Sequence, residues 1–185
     1  MFRSLFRKNK EEINTSEHDI GSGTVGDVIV VSGFSETYDD AYFVIEEINR
    51  YEGIDSWHEL IGADGDRKMA FETSNNDPSY IAITEQEDAM GLSAIGIPED
   101  ELVRMDDEHS IDNTLVFNDE RYSYVNSQEV RFFKDNQSSW EGLYLWEFKG
   151  ESGENLLSVI KWEGLPFEVY QHKLLSSNLV SVYKK

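Results

Sequence analysis

The chain has 185 residues, with 37 acidic and 16 basic side chains, a formal charge of −21, no cysteine, 39% hydrophobic and 12% aromatic residues. That apolar content supplies a core and argues against a disordered tail, while no apolar run reaches the roughly 18 residues of a membrane-spanning helix. The charge disfavours nucleic-acid binding, which needs cations against phosphates, and the missing thiols exclude a disulfide framework and thiolate chemistry.

Residues 1–10 (MFRSLFRKNK) place Phe2, Leu5 and Phe6 at helical spacing, with Arg3, Arg7, Lys8 and Lys10 around them. A short basic amphipathic helix of this kind lies on anionic membrane surfaces. The plainer alternatives are a frayed terminus or a segment folded back on the acidic body. Phe2, Arg3, Leu5, Phe6, Arg7 and Lys8 are therefore the candidate membrane contacts. The segment lacks the continuous apolar stretch of a secretory signal, so the expected location is the cytoplasm, with peripheral contact at the inner membrane surface. All acids follow residue 10, so residues 11–185 carry twelve basic against 37 acidic side chains, a charge of −25. Such a body favours a cationic partner, although an acidic solvated surface is the plainer account of it.

Residues 11–23 form a polar linker. Gly21, Gly23 and Gly26 match the spacing of a dinucleotide fingerprint, but that motif follows a strand and opens a helix. Here a polar stretch precedes it and the β-rich run DVIVV follows, so no nucleotide site is expected.

A first antiparallel meander is expected over residues 24–84. Its strands fall at 27–32, 41–50, 55–61, 67–73 and 80–84, with Glu46 and Glu47 also permitting a short helix. Asp64-Gly65 marks a hairpin turn. Residues 85–113 read as an irregular acidic connection, in which Pro98 can open a short helix with acids in its first turn. Residues 106–112 read as an acidic loop.

The second meander occupies residues 114–185, with strands at 114–117, 121–126, 129–134, 143–148, 156–162, from 167, and 179–183. In residues 143–148 Tyr144, Trp146 and Phe148 share one face, and Leu143, Leu145 and Glu147 the other. The two halves rhyme: Trp57-His-Glu-Leu followed by Met69-Ala-Phe71 has the order of Trp146-Glu-Phe followed by Leu157-Ser-Val159. Tyr42-Phe43-Val44 and Tyr122-Ser-Tyr124 precede them. The expected fold is mainly β: two related antiparallel β-meander units, as sandwich or small barrels, with at most short helices.

These pieces carry a family resemblance. Gly26-Asp27-Val28, Tyr42-Phe43-Val44, Trp57-His-Glu-Leu60 with Asp64-Gly65, residues 118–124 (NDERYSY), Trp146-Glu-Phe148 and Leu157-Ser-Val159 to Trp162 together resemble the uncharacterised bacterial family "domain of unknown function 4178" over residues 24–184. In that family's pattern an aromatic follows the Trp-x-Glu signature, where this chain has Leu60. The resemblance implies a mainly β protein with one or two copies of the unit, and no established activity or catalytic residue. Family members tend to be encoded near membrane-stress proteins, small membrane proteins and polyamine-synthase-like enzymes, which sets the expectation of a role in envelope stress.

Catalytic chemistry finds little support. There is no Gly-x-Ser-x-Gly, and the four histidines lack metal-ligand spacing. His58-Glu59 has no second histidine to complete a zinc motif, and residues 106–112 lack calcium-loop spacing. No catalytic residue, metal or cofactor is assigned. The aromatics are expected mostly in the core. Should the sheets enclose a cavity, Trp57, Glu59, Tyr122, Tyr124 and Trp146 are the candidate pocket residues. The expected function is a non-enzymatic binding or accessory module acting with a membrane-associated or cationic protein partner. The alternative is a small-ligand carrier or enzyme with an aromatic-lined β cavity.

Overall fold

Alternation of apolar and polar side chains, cut by glycine-bearing turns, produces eleven strands that hold 58% of the described residues. The computed structural model describes residues 20–34, 39–73, 79–85 and 89–185. The first half gives β1 (Val28–Val31), β2 (Ala41–Glu52), β3 (Ser56–Asp64), β4 (Arg67–Thr73) and β5 (Tyr80–Glu85). Two helices follow, α1 (Leu92–Ile95) and α2 (Glu99–Glu108). The second half gives β6 (Thr114–Phe117), β7 (Glu120–Phe133), β8 (Glu141–Gly150), β9 (Asn155–Trp162), β10 (Phe167–Ser176) and β11 (Val180–Tyr183).

All strands join one antiparallel sheet in the order β11-β1-β2-β3-β4-β5-β10-β9-β8-β7-β6, and β2 also pairs with β7. β2 and β7 are long enough to take two neighbours along one edge. Residues 41–44 of β2 pair with β1, and residues 50–52 pair with 131–133 of β7. Residues 120–123 of β7 pair with β6. The β2–β7 contact closes eight strands, β2 to β5 and β7 to β10, into a ring. Each long strand carries a β-bulge, between Ile45 and Glu47 in β2 and between Tyr124 and Asn126 in β7. A bulge bends its strand and raises its twist, which turns each strand from its outer neighbour into the ring. A bulge, not the short helix that Glu46 and Glu47 permitted, therefore sits at that point.

The two meanders are related register by register. Taking the two bulges as equivalent matches Glu47–Ile61 with Asn126–Glu147, and Asn49–Glu59 with Gln128–Leu145. The same alignment matches Met69, Ala70, Phe71 and Glu72 with Leu157, Ser158, Val159 and Ile160. Phe43 falls on Tyr122, and Ile29 on Leu115. The Met69-Ala-Phe71 rhyme is thus in register. Trp146 corresponds to Leu60, and Trp57 to Leu143, so the tryptophan rhyme is offset by three residues.

The ring has two outer cores. One packs Phe43, Ile45, Leu60, Met69, Phe71, Ile81 and Ile83 beneath β1 and β11. Gly62 makes room there: an added Cβ would lie 2.7 Å from that of Phe43 and 3.2 Å from the Phe71 ring. The other packs Tyr122, Tyr124, Trp146, Phe148, Leu157, Val159 and Val169 beneath α1, α2 and β6. Tyr42, by contrast, projects to solvent, 58% exposed.

Helix α2 starts after Pro98 with Glu99, Asp100 and Glu101 in its first turn, where acids suit the helix dipole. It continues through Glu108, so residues 106–108 are helical and not part of an acidic loop. Burial of Leu102 and Met105, and pairing of Arg104 with Glu101 and Glu108, extend it. Asp106 ties it to the ring, accepting hydrogen bonds from Ser127 and from the Tyr144 hydroxyl. Residues 127 and 128 likewise continue β7, where the sequence suggested a break.

Asp27 clasps the last strand. Its carboxylate accepts from Thr24 Oγ1 at 2.7 Å, Lys184 Nζ at 3.0 Å and the Lys185 N–H at 3.1 Å. Burial pushes its pKa up, but these bonds outweigh it and hold the carboxyl well below the usual range.

Candidate functional site: the barrel lumen

An eight-stranded ring leaves an interior just wide enough for side chains or one small ligand. Because side chains alternate, the residues between those of the outer cores point inward: Asn49 and Tyr51 from β2, Trp57 and Glu59 from β3, Glu72 from β4, Glu147 from β8, Ser158 and Trp162 from β9, Tyr170 and His172 from β10. They line a cavity of about 260 Å³. A second cavity of the same volume opens toward the other end, and the two share Trp57, Glu72, Glu147 and Leu156 as a waist.

The wall of the first chamber is divided. Val130, Leu143, Leu145, Ile160, Phe132 and Trp162 form an apolar side from β7, β8 and β9, with Tyr51 and Trp57 packed against it. Tyr51 and Trp57 stack at 4.9 Å with their planes 2° apart, Tyr51 meets Phe132 at 5.0 Å, and Phe132 meets Trp162 edge-on at 5.4 Å. Facing this aromatic row are carboxylates. Glu47, Glu59, Glu72, Glu147 and Glu168 all line the chamber, against His172 and, among the described residues, a single lysine, Lys134.

Among the described residues, the donors to Glu59, Glu72, Glu147 and Glu168 are neutral. Asn49 donates to Glu59 at 2.8 Å and Asn126 to Glu147 at 2.9 Å, while the Trp57 indole donates to Glu72. Trp162 Nε1 and the Tyr170 hydroxyl donate to Glu168, at 3.1 and 3.2 Å. Burial, and then the charges of Glu59 and Glu147, push Glu72 up to about 8. Burial also raises Glu59 and Glu147, against the bonds from Asn49 and Asn126. His172, 4% exposed, lies 3.7 Å from Glu72 and is pushed down to about 4 by burial. At neutral pH Glu72 holds its proton and His172 is uncharged.

His172 spends both ring nitrogens on hydroxyls, Thr84 Oγ1 at 2.5 Å and Ser158 Oγ at 2.6 Å. Ser158, His172 and Glu72 have the order of a nucleophile, base and carboxylate. Ser158, however, sits mid-strand between Tyr170 and Glu147, so the surrounding N–H groups serve the ladders and do not form an oxyanion site. No group of three potential ligands able to hold a metal occurs among the described residues.

The five pocket residues suggested by the sequence divide between the two faces of the sheet. Trp57 and Glu59 face the lumen. Tyr122, Tyr124 and Trp146 are on the outer face, buried beneath the helices. Phe2, Arg3, Leu5, Phe6, Arg7 and Lys8 lie outside the described residues. The sequence reading missed Tyr51, Glu72, Glu147, Tyr170 and His172 as lumen residues. One signal was available: β8 is apolar on both faces, which suits a strand covered outside by helices and inside by a filled lumen.

The fold and site define a class: a closed eight-stranded antiparallel barrel with a divided lumen, one wall aromatic and the other acidic. The family model described as Domain of unknown function (DUF4178) matches residues 33–176, and the chain belongs to that family. The matched segment spans β2 to β10, all eight strands of the ring, and leaves out β1 and β11. Searches of curated proteins and of solved structures gave no match. No helix among the described residues is long and apolar enough to cross a membrane.

Proposed function

We propose that this protein is a ligand-binding barrel whose lumen receives an organic cation with an apolar or aromatic body. One observation carries this: five carboxylates line an aromatic-walled chamber that offers them, among the described residues, one lysine and one neutral histidine. Burying an ionised acid without a cationic partner costs on the order of several kcal/mol. An ammonium group supplies the missing charge, and aromatic faces attract cations in addition. The apolar side gives the ligand's body a place. The volume, about 260 Å³, sits just under the range of small-molecule pockets, about 300–1,000 Å³.

The internal duplication supports the same conclusion. Glu59 and Glu72 correspond to Leu145 and Ile160, and Glu147 to Ile61. The barrel therefore accommodates aliphatic residues at these positions, so its architecture does not require the acids.

Titration calorimetry with choline and benzyltrimethylammonium tests the idea, with neohexyl alcohol, the uncharged carbon isostere of choline, as control. The cations are expected to bind, quench Trp57 and Trp162 fluorescence, and exceed the isostere at least about tenfold in affinity. Equal affinity for choline and its isostere would refute the cation preference. The wider role we propose is a cytoplasmic binding or accessory module, with a cationic or membrane-associated partner in envelope stress. The acidic sequence and basic start support it. Co-sedimentation with anionic vesicles, with and without residues 1–10, tests the membrane part, and no difference would remove it.

A further inference from the structure

Resting on the cation-binding proposal, we infer that the lumen binds by exchange: an entering organic cation displaces a proton held by the Glu59–Glu72–Glu147 set. The geometry of the waist points to it. Glu72 stands on β4 between two other inward acids, Glu59 on the adjacent β3 and Glu147 across the lumen on β8. Glu47 and Tyr51 face the same space from β2, and Glu168, Tyr170 and His172 from β10. Ser158 and Thr84 represent β9 and β5 there, neither of them charged. Lys134, just after β7, completes the first chamber, and the second adds Asp55, Tyr80 and Lys149.

Three acids in one chamber whose donors are neutral, Asn49 and Tyr51 for Glu59, Trp57 for Glu72 and Asn126 for Glu147, do not all ionise together, since like charges in one site raise each other's proton affinity. The shared proton sits on Glu72, the member pressed from both sides. A cation placed among the acids reverses the balance. It makes the ionised form of Glu72 favourable, and the proton leaves to solvent. His172 does not receive it, because both ring nitrogens are already bonded and its burial disfavours the charged ring. Affinity then depends on pH by simple linkage, about tenfold weaker for each unit of pH below the point where the site loses its proton.

Quaternary ammonium ions suit the test because they carry no exchangeable proton of their own. Benzyltrimethylammonium is titrated calorimetrically at pH 7 in phosphate and in Tris, whose ionisation enthalpies differ. The difference in observed heat gives the protons released. We expect about one per ligand at pH 7, falling toward zero above about pH 9. In Glu72→Gln the release at pH 7 should fall toward zero, with weaker binding. Binding without proton release in the wild type would overturn the exchange and leave cation binding standing. Release unchanged in Glu72→Gln would overturn the assignment of the proton to Glu72. No binding at any pH would overturn cation binding itself, and the exchange with it.

Discussion

Replacing Glu72 with isoleucine, the residue at its counterpart Ile160, should stabilise the protein more near pH 8 than near pH 5. The counterpart shows that an aliphatic chain fits this place in a ring of the same register. The carboxyl of Glu72 is raised from 4.5 to about 8. At about 1.4 kcal/mol for each tenfold change in proton affinity, that corresponds to about 5 kcal/mol of destabilisation once the group is fully ionised. Its side chain keeps 27% of its exposure inside the lumen. Water there screens the charge, and a working figure of about 2–3 kcal/mol follows.

The direction with pH is fixed by the direction of the shift. A carboxyl whose folded pKa is raised costs nothing below its ordinary value, 4.5, and costs progressively more up to about 8. Wild-type stability should therefore fall across that window through this group, and Glu72→Ile should remove the slope. Urea melts followed by tryptophan fluorescence at three pH values would measure it, with Glu72→Gln as the isosteric control. The gain in Glu72→Ile over wild type should widen by about 2–3 kcal/mol between pH 5 and pH 8. A gain independent of pH, or a loss of more than about 1 kcal/mol at pH 8, would refute the idea that this acid is retained at the expense of the fold.

Four further substitutions probe the architecture. Trp146→Ala should cost about 3–5 kcal/mol in urea melts, because its ring fills the core beneath the helices. Trp57→Ala should cost about half as much or less, since that ring is only half-buried, yet abolish cation binding; equal costs would place both rings in one kind of core. Gly62→Ala should destabilise by about 1–3 kcal/mol, because its new methyl meets the Phe43 Cβ, and a neutral result would mean that β2 yields there. Asp27→Ala should cost about 3 kcal/mol at neutral pH and progressively less as the pH falls below 3.8, the ordinary value of a carboxyl whose folded pKa is lowered. Amide exchange of β11 reports the loss, and unchanged protection at Val182 would show that the clasp is unimportant.

The strands were legible because the period-two pattern is local. Residues 67–73 and 114–117, for example, begin and end where alternation and turn residues place them. Closure was not legible. It depends on residues 50–52 meeting 131–133, and on β5 meeting β10, pairings between segments about 80 to 95 residues apart that no local pattern specifies. The site was hidden for the same reason. Glu72 is one of 37 acids, and only the ring sets it opposite Glu147. Trp146 misled in the other direction, since a large aromatic in a strand suits either a packed core or a ligand wall until the inside of the barrel is known.

Comparison of the two meanders separates what the fold needs from what was added to it. On the outer face the counterparts match in kind: Met69 with Leu157, Phe71 with Val159, Ile83 with Val169, Phe43 with Tyr122. On the inner face they part, with Glu59 against Leu145, Glu72 against Ile160, and Glu147 against Ile61. A requirement of closure would act on both halves alike, because each supplies the same four strands to one ring. Acids that occur in only one half at each place therefore support the proposal that the ring receives a ligand.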